Sequence, residues 1–130
     1  MADRKRILIA DDDPDLLELL QTYLTHQGYD VIAAANGKDA LNLALTETVD
    51  LIMLDVMMPY IDGYHVAYEV SNKLGDKAPR IVIVTSRNTS REQGIALMSG
   101  AYEIIQKPFD MNQLSTRVAQ IIAGSSGAAK

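Results

Sequence analysis

Apolar residues in this chain gather in two alternating patterns. Unbroken runs stand at 7–10 (Ile-Leu-Ile-Ala), 51–54 (Leu-Ile-Met-Leu) and 81–84 (Ile-Val-Ile-Val). Runs of that length, bounded by polar residues or breakers, predict strands buried on both faces of a parallel sheet. A weaker strand is expected at 30–34 and a fifth at 102–106. Between them the apolar positions are spaced three and four apart, which places them on one face of a helix. These sets are Leu16, Leu17, Leu20, Tyr23 and Leu24; Ala40, Leu41, Ala44 and Leu45; Val66, Ala67, Val70 and Leu74; and Leu114, Val118, Ile121 and Ile122. Strand followed by helix, five times over, predicts an α/β doubly wound parallel sheet with helices on both faces.

The breakers agree with these boundaries. Pro14 suits the first position of a helix, with Asp13 as its cap, and Gly28 ends that helix. Asn36-Gly37 turns into the next helix, and Pro59 with Asp62-Gly63 closes the loop before the third. Gly75 and Gly100 stop helices. Capping-box spacing occurs from Thr89 to Glu92 and from Ser90 to Gln93. Before the last helix, Asp110 caps, Gln113 completes a box and Phe109 staples onto Leu114. Residues 1–123 are expected to form one domain, and 124–130, with nothing to bury, a mobile tail or the remnant of a linker.

Composition narrows the chemistry. With 130 residues the chain is long enough for one core, and with no cysteine it has neither disulfides nor thiolate metal sites. No apolar stretch is long enough for a bilayer and no signal region follows Met1, so the expected location is the cytosol, with no membrane partner. A net charge of -5 argues against nucleic acid as a partner. Arg4-Lys5-Arg6 is read as a solvated flank of the first strand. His26 and His65 are read as surface residues, His65 having no second ligand or carboxylate at useful spacing.

In open α/β sheets ligand chemistry gathers beyond the carboxyl ends of the strands. At those ends this sequence places Asp11 and Asp12, Asp55, Thr85 and Lys107. Asp13 is accounted for as a cap; Asp11 and Asp12 are not, and two adjacent carboxylates repel unless a cation or water separates them. Carboxylates concentrated at one point favour a hard cation, and oxygen ligands without His or Cys favour Mg²⁺. The site is thus suited to a phosphoryl group: an Asp carboxylate attacks, while Lys107 and Thr85 engage phosphoryl oxygens. Met57 and Arg87 flank it and are placed to tune how fast water removes the phosphate.

The acidic pair Asp11-Asp12, the segment from Asp55 through Met57-Met58-Pro59 to Asp62-Gly63, Thr85, and Lys107-Pro108-Phe109, each at a strand end and in this order, resemble receiver domains of two-component response regulators, of the single-domain, chemotaxis-regulator-like type. The resemblance covers residues 5 to 123. It implies a flavodoxin-like fold with strand order 2-1-3-4-5, and a phosphoryl group accepted on Asp55 from a histidine kinase or phosphotransfer protein. It implies Mg²⁺, or Mn²⁺, held by Asp12 directly, by Asp11 through water, by Asp55 and by the main-chain carbonyl of Met57. Lys107, before a cis proline, would contact the acyl phosphate and Thr85 would report it. The implied product is a changed protein-binding surface rather than a turned-over substrate, so the chain is not expected to be an enzyme beyond assisting its own phosphotransfer and dephosphorylation. Ile104 departs from the family, which often has Tyr or Phe there, and implies a different output surface or a muted switch.

Other functions fit less well. A receiver that docks without phosphate would not need the set of Asp12, Asp55, Thr85 and Lys107. A phosphatase with an Asp nucleophile, of haloacid-dehalogenase type, would have a threonine in the first acidic loop and a cap domain. A flavin carrier would have a Ser/Thr/Gly-rich first loop where this one is acidic.

Overall fold

In a computed structural model of the chain, residues 4–87 and 90–127 are described. The strands are β1 (Arg6–Ala10), β2 (Asp30–Ala34), β3 (Leu51–Asp55), β4 (Arg80–Thr85) and β5 (Glu103–Gln106). The helices are α1 (Pro14–His26), α2 (Gly37–Thr46), α3 (Gly63–Leu74), α4 (Ser90–Met98) and α5 (Met111–Gly127). All strand pairs are parallel, in the order β2-β1-β3-β4-β5. This is the expected flavodoxin-like order.

Strand side chains alternate between faces, and the core divides accordingly. Ile7, Ile9, Leu51, Met53, Val82 and Val84 pack with Leu20 and Leu24 of α1 and with Leu114, Val118 and Ile121 of α5. Leu8, Ala10, Ile52, Leu54, Ile81 and Ile83 pack with residues of α2, α3 and α4, including Ala40, Ala44, Val66, Val70 and Ala96. Every residue of β3 is buried, because the central strand is covered on both faces.

Caps set the helix starts. Asp13 accepts from the N–H groups of Asp15 and Leu16, with Pro14 at the first helical position. Asn36 accepts from Asp39 N–H at 2.8 Å, and Asp62 from His65 N–H at 2.9 Å. Asp110 accepts from Asn112 N–H at 2.7 Å; no return bond from Gln113 closes a box among the described residues. Thr89, the other proposed cap, lies outside the described residues.

Two boundaries and two contacts differ from expectation. Strand β5 begins at Glu103 rather than at 102, although Tyr102 N–H already donates to Ile81 O at 2.7 Å. Helix α5 continues to Gly127, past the boundary expected at 123. A helix already nucleated by packed turns propagates one hydrogen bond at a time at little cost, and Gly124 leaves room for the Arg80 guanidinium, whose Nη1 lies 3.1 Å from where a Cβ would stand. His65 does have a carboxylate at useful spacing: its Nε2 is 3.6 Å from Glu69 one turn later. Of the basic triplet, Arg6 is tied down rather than merely solvated, its guanidinium reaching Asp30 at 3.3 Å and Glu47 at 3.1 Å. No described helix is long and apolar enough to cross a membrane.

Candidate phosphoryl and metal site

Sheet parity determines which strand-end residues meet. In β1, β3 and β5 the odd-numbered residues face α1 and α5, as Ile9, Met53 and Ile105 show. Continued past the strand ends, that parity brings Asp11, Asp55 and Lys107 to one side. Asp11 and Asp55 are buried, 3% and 8% exposed. Lys107 Nζ donates to Asp11 Oδ2 at 2.9 Å and lies 3.4 Å from Asp55 Oδ1. Asp12 is exposed, yet one carboxylate oxygen from each of Asp11, Asp12 and Asp55 falls within 4.8 Å of the others.

The loops that carry these groups are anchored to one another. Asp11 Oδ1 accepts from Asp13 N–H at 2.9 Å, so the residue that caps α1 also orients the buried carboxylate. Lys107 N–H donates to Thr85 O at 2.8 Å, and the Lys107-Pro108 bond is cis, as the resemblance implied. Beyond β3, Gly63 N–H donates to Val56 O at 2.9 Å, and a Cβ on Gly63 would stand 2.2 Å from the Asp55 carbonyl oxygen. Only glycine permits that approach. Gly37 N–H likewise donates to Pro59 O at 3.2 Å, seating α2 on the same loop. Tyr60, in this loop, takes a left-handed φ of 73°.

The electrostatics follow from burial. Desolvation, then the neighbouring Asp11, push the Asp55 carboxyl above the usual carboxylate range; Lys107 opposes them, and Asp12 adds to the rise. Burial alone would lower the Lys107 ammonium, but Asp11 and then Asp55 outweigh it and hold the lysine more basic than usual. A single ammonium thus faces a cluster of carboxylates, an arrangement that leaves room for a hard cation with oxygen ligands.

Not all the predicted residues join the cluster. Thr85 is buried at the end of β4, and its Oγ1 accepts from Arg87 N–H at 3.1 Å. By the parity of Ile81 and Ile83 it belongs to the face of α4, as does Ile104, which pairs with Ile83 and packs against that core. Met57 is 66% exposed on the loop after Asp55. Two contacts were not foreseen from sequence: Asp11 as the shorter partner of Lys107, and a hydrogen bond from the Tyr64 hydroxyl to Glu92 Oε1 at 2.5 Å, joining α3 to α4.

Comparison with known proteins agrees with this constellation. Residues 7–119 match the response regulator receiver domain family. The alkaline phosphatase synthesis transcriptional regulatory protein PhoP of Bacillus subtilis is 37% identical over 125 residues, covering 96% of this chain and 51% of PhoP. The response regulator SaeR of Staphylococcus aureus is 31% identical over 116 residues, covering 89% of this chain and 50% of SaeR. The chain therefore spans about half the length of these relatives. A CheY-like receiver domain from Methanospirillum hungatei superposes with a TM-score of 0.88 at 26% identity, covering 95% of this chain and 98% of that one. The Francisella response regulator 1452 receiver domain gives 0.85 at 28% identity, covering 92% and 98%. On sequence and architecture together, the chain belongs to the response regulator receiver domains of two-component systems.

Proposed function

We propose that this receiver domain accepts a phosphoryl group on Asp55 from a phosphohistidine of a histidine kinase or phosphotransfer protein. The observation that carries this reading is Lys107, bonded to Asp11 at 2.9 Å and 3.4 Å from Asp55. An Asp55 oxygen attacks phosphorus, the P–N bond of the donor breaks, and the imidazole leaves with a proton. Lys107 orients Asp55 beforehand and faces the phosphoryl oxygens afterwards. Thr85 senses them through its hydroxyl.

Asp11, Asp12 and Asp55, with the main-chain carbonyl of Met57, would hold Mg²⁺ or Mn²⁺. The fit rests on an all-oxygen donor set whose carboxylates already lie within 4.8 Å of one another. When bound, the cation would offset the negative charge that gathers on the phosphoryl oxygens. The product is a changed surface offered to a downstream protein in the cytoplasm; the domain assists its own phosphorylation and dephosphorylation and turns over no other substrate.

Intact-mass measurement after incubation with acetyl phosphate and Mg²⁺ tests this. One phosphate adduct is expected on the wild type and none on Asp55→Asn or in chelator. A folded wild type that gains no adduct overturns the reading.

A further inference from the structure

Helix α4 is lightly held. Within Ser90–Met98 only Ala96 is buried, while Leu97 and Met98 are 67% and 86% exposed. An element with so little buried apolar surface opens readily, so each polar tie counts for much of its position. One such tie is the hydrogen bond from the Tyr64 hydroxyl to Glu92 Oε1 at 2.5 Å. Tyr64 directly follows Gly63, whose close approach to the Asp55 main chain ties the start of α3 to the site. Burial and then Glu92 keep the Tyr64 proton on, well above the usual tyrosine range, so the hydroxyl remains a donor.

Arg87 joins this tie to Thr85. Its N–H donates to Thr85 Oγ1 at 3.1 Å, and its positive charge weakly opposes the rise of the Tyr64 pKa. We propose that the Tyr64–Glu92 hydrogen bond is a latch that holds α4 in the unphosphorylated domain, released through Thr85 and Arg87 when Asp55 is loaded. The proposal rests on the reading of Asp55 as the phosphoacceptor. A phosphoryl group on Asp55 presents new acceptor oxygens; as the Thr85 hydroxyl turns towards one, it leaves the Arg87 N–H. The Arg87 segment is then free to move, and its guanidinium suits the Glu92 carboxylate better than a neutral phenol does. This route does not need an aromatic side chain at Ile104. Tyr64 and Glu92 are positioning residues here and take no part in the chemistry.

Hydrogen exchange of residues 90–98, with and without beryllofluoride and Mg²⁺, tests the latch on the full chain. Bound beryllofluoride is detected separately by fluorine NMR. In the wild type, beryllofluoride is expected to speed exchange in 90–98 by about tenfold, the scale of one hydrogen bond to a charged group. Tyr64→Phe should already exchange at the faster rate without it, and gain little more on adding it. A tie that is merely structural would speed exchange in both states alike and leave the beryllofluoride effect intact; that result, or wild-type exchange in Tyr64→Phe, overturns the latch. Absence of a bound fluorine signal in the wild type overturns the phosphoacceptor reading instead.

Discussion

Adding one methyl group at Gly63 should damage stability and site together. The Cβ would stand 2.2 Å from Asp55 O, 3.0 Å from Asp55 C and 3.2 Å from Val56 Cα. The first contact is more than ~1 Å inside ordinary non-bonded separation. The atoms it meets are backbone, and Asp55 is held in the sheet opposite Val84, so no side chain can turn aside. Relief requires the start of α3 to move away from the end of β3, breaking the bond from Gly63 N–H to Val56 O. Overpacking of this kind costs about 1–3 kcal/mol, while a helical alanine in place of glycine returns roughly 0.5–1 kcal/mol. Gly63→Ala should therefore lose up to about 2.5 kcal/mol, each kcal/mol lowering the melting temperature by roughly 3–5 °C for a domain this size. Because the displaced carbonyl belongs to Asp55, phosphate uptake from acetyl phosphate should slow by about 10–100-fold, since an error of ~1 Å at a reacting group costs that order. Gly94→Ala is the counterpart. Gly94 sits within α4, exposed and with nothing within 4 Å of an added Cβ, so the same change should stabilise by about 0.5–1 kcal/mol. Urea unfolding and intact-mass time courses on both variants decide the matter. A Gly63→Ala domain as stable as wild type, with unaltered uptake, would refute the reasoning.

Three further outcomes follow from other parts of the structure. Tyr60, 81% exposed with φ 73°, has a strained backbone and little packing to lose, so Tyr60→Gly should gain about 0.5–1 kcal/mol in urea unfolding; a loss would show that the side chain holds the loop. The folded Asp55 carboxyl is raised above its unfolded value, so its charge costs stability above the folded pKa and costs nothing below the unfolded one. Metal-free Asp55→Asn should then be more stable than wild type near neutral pH, with the gain shrinking as pH falls through the carboxylate range; a gain independent of pH would contradict the cause assigned. Mg²⁺ at a hundredfold excess over its Kd should stabilise the wild type by about 2.7 kcal/mol, and Asp12→Ala should abolish most of that shift in a thermal melt; an equal shift in both would remove Asp12 from the metal site.

What the sequence made legible was what burial on both faces writes into composition. Leu51, Ile52, Met53 and Leu54 are all buried, so the run is unbroken and the strand is plain. Helix α4 is the opposite case: Leu97 and Met98 point to water, and apolar spacing there says little about what it packs on. Tyr64 and Glu92 lie 28 positions apart, on different helices, and no periodicity connects them. The same holds within the site. That Asp11, Asp55 and Lys107 stand at strand ends could be read from where the apolar runs stop, but the closer partner of Lys107 is decided by loop paths over fractions of an ångström. The extension of α5 to Gly127 escaped for a related reason, since residues 123–127 continue a helix whose packing is set earlier.

The alternation that builds the core also divides the strand-end residues between the two faces of the sheet. Asp11, Asp55 and Lys107 share the parity of the residues that face α1 and α5, whereas Thr85 and Ile104 share the parity of those that face α2, α3 and α4. A substitution on the second face, at Ile104 for example, therefore leaves the Asp11, Asp55 and Lys107 side chains on the other face untouched. Thr85 is the one predicted site residue placed to act on both sides: its carbonyl holds the Lys107 main chain, and its hydroxyl holds Arg87. With an isoleucine at 104, the polar contact on that face that a turn at Thr85 would alter is its bond to Arg87 N–H. Helix α4, the next element in the chain, buries only Ala96 within Ser90–Met98 and so has little apolar surface to resist a shift.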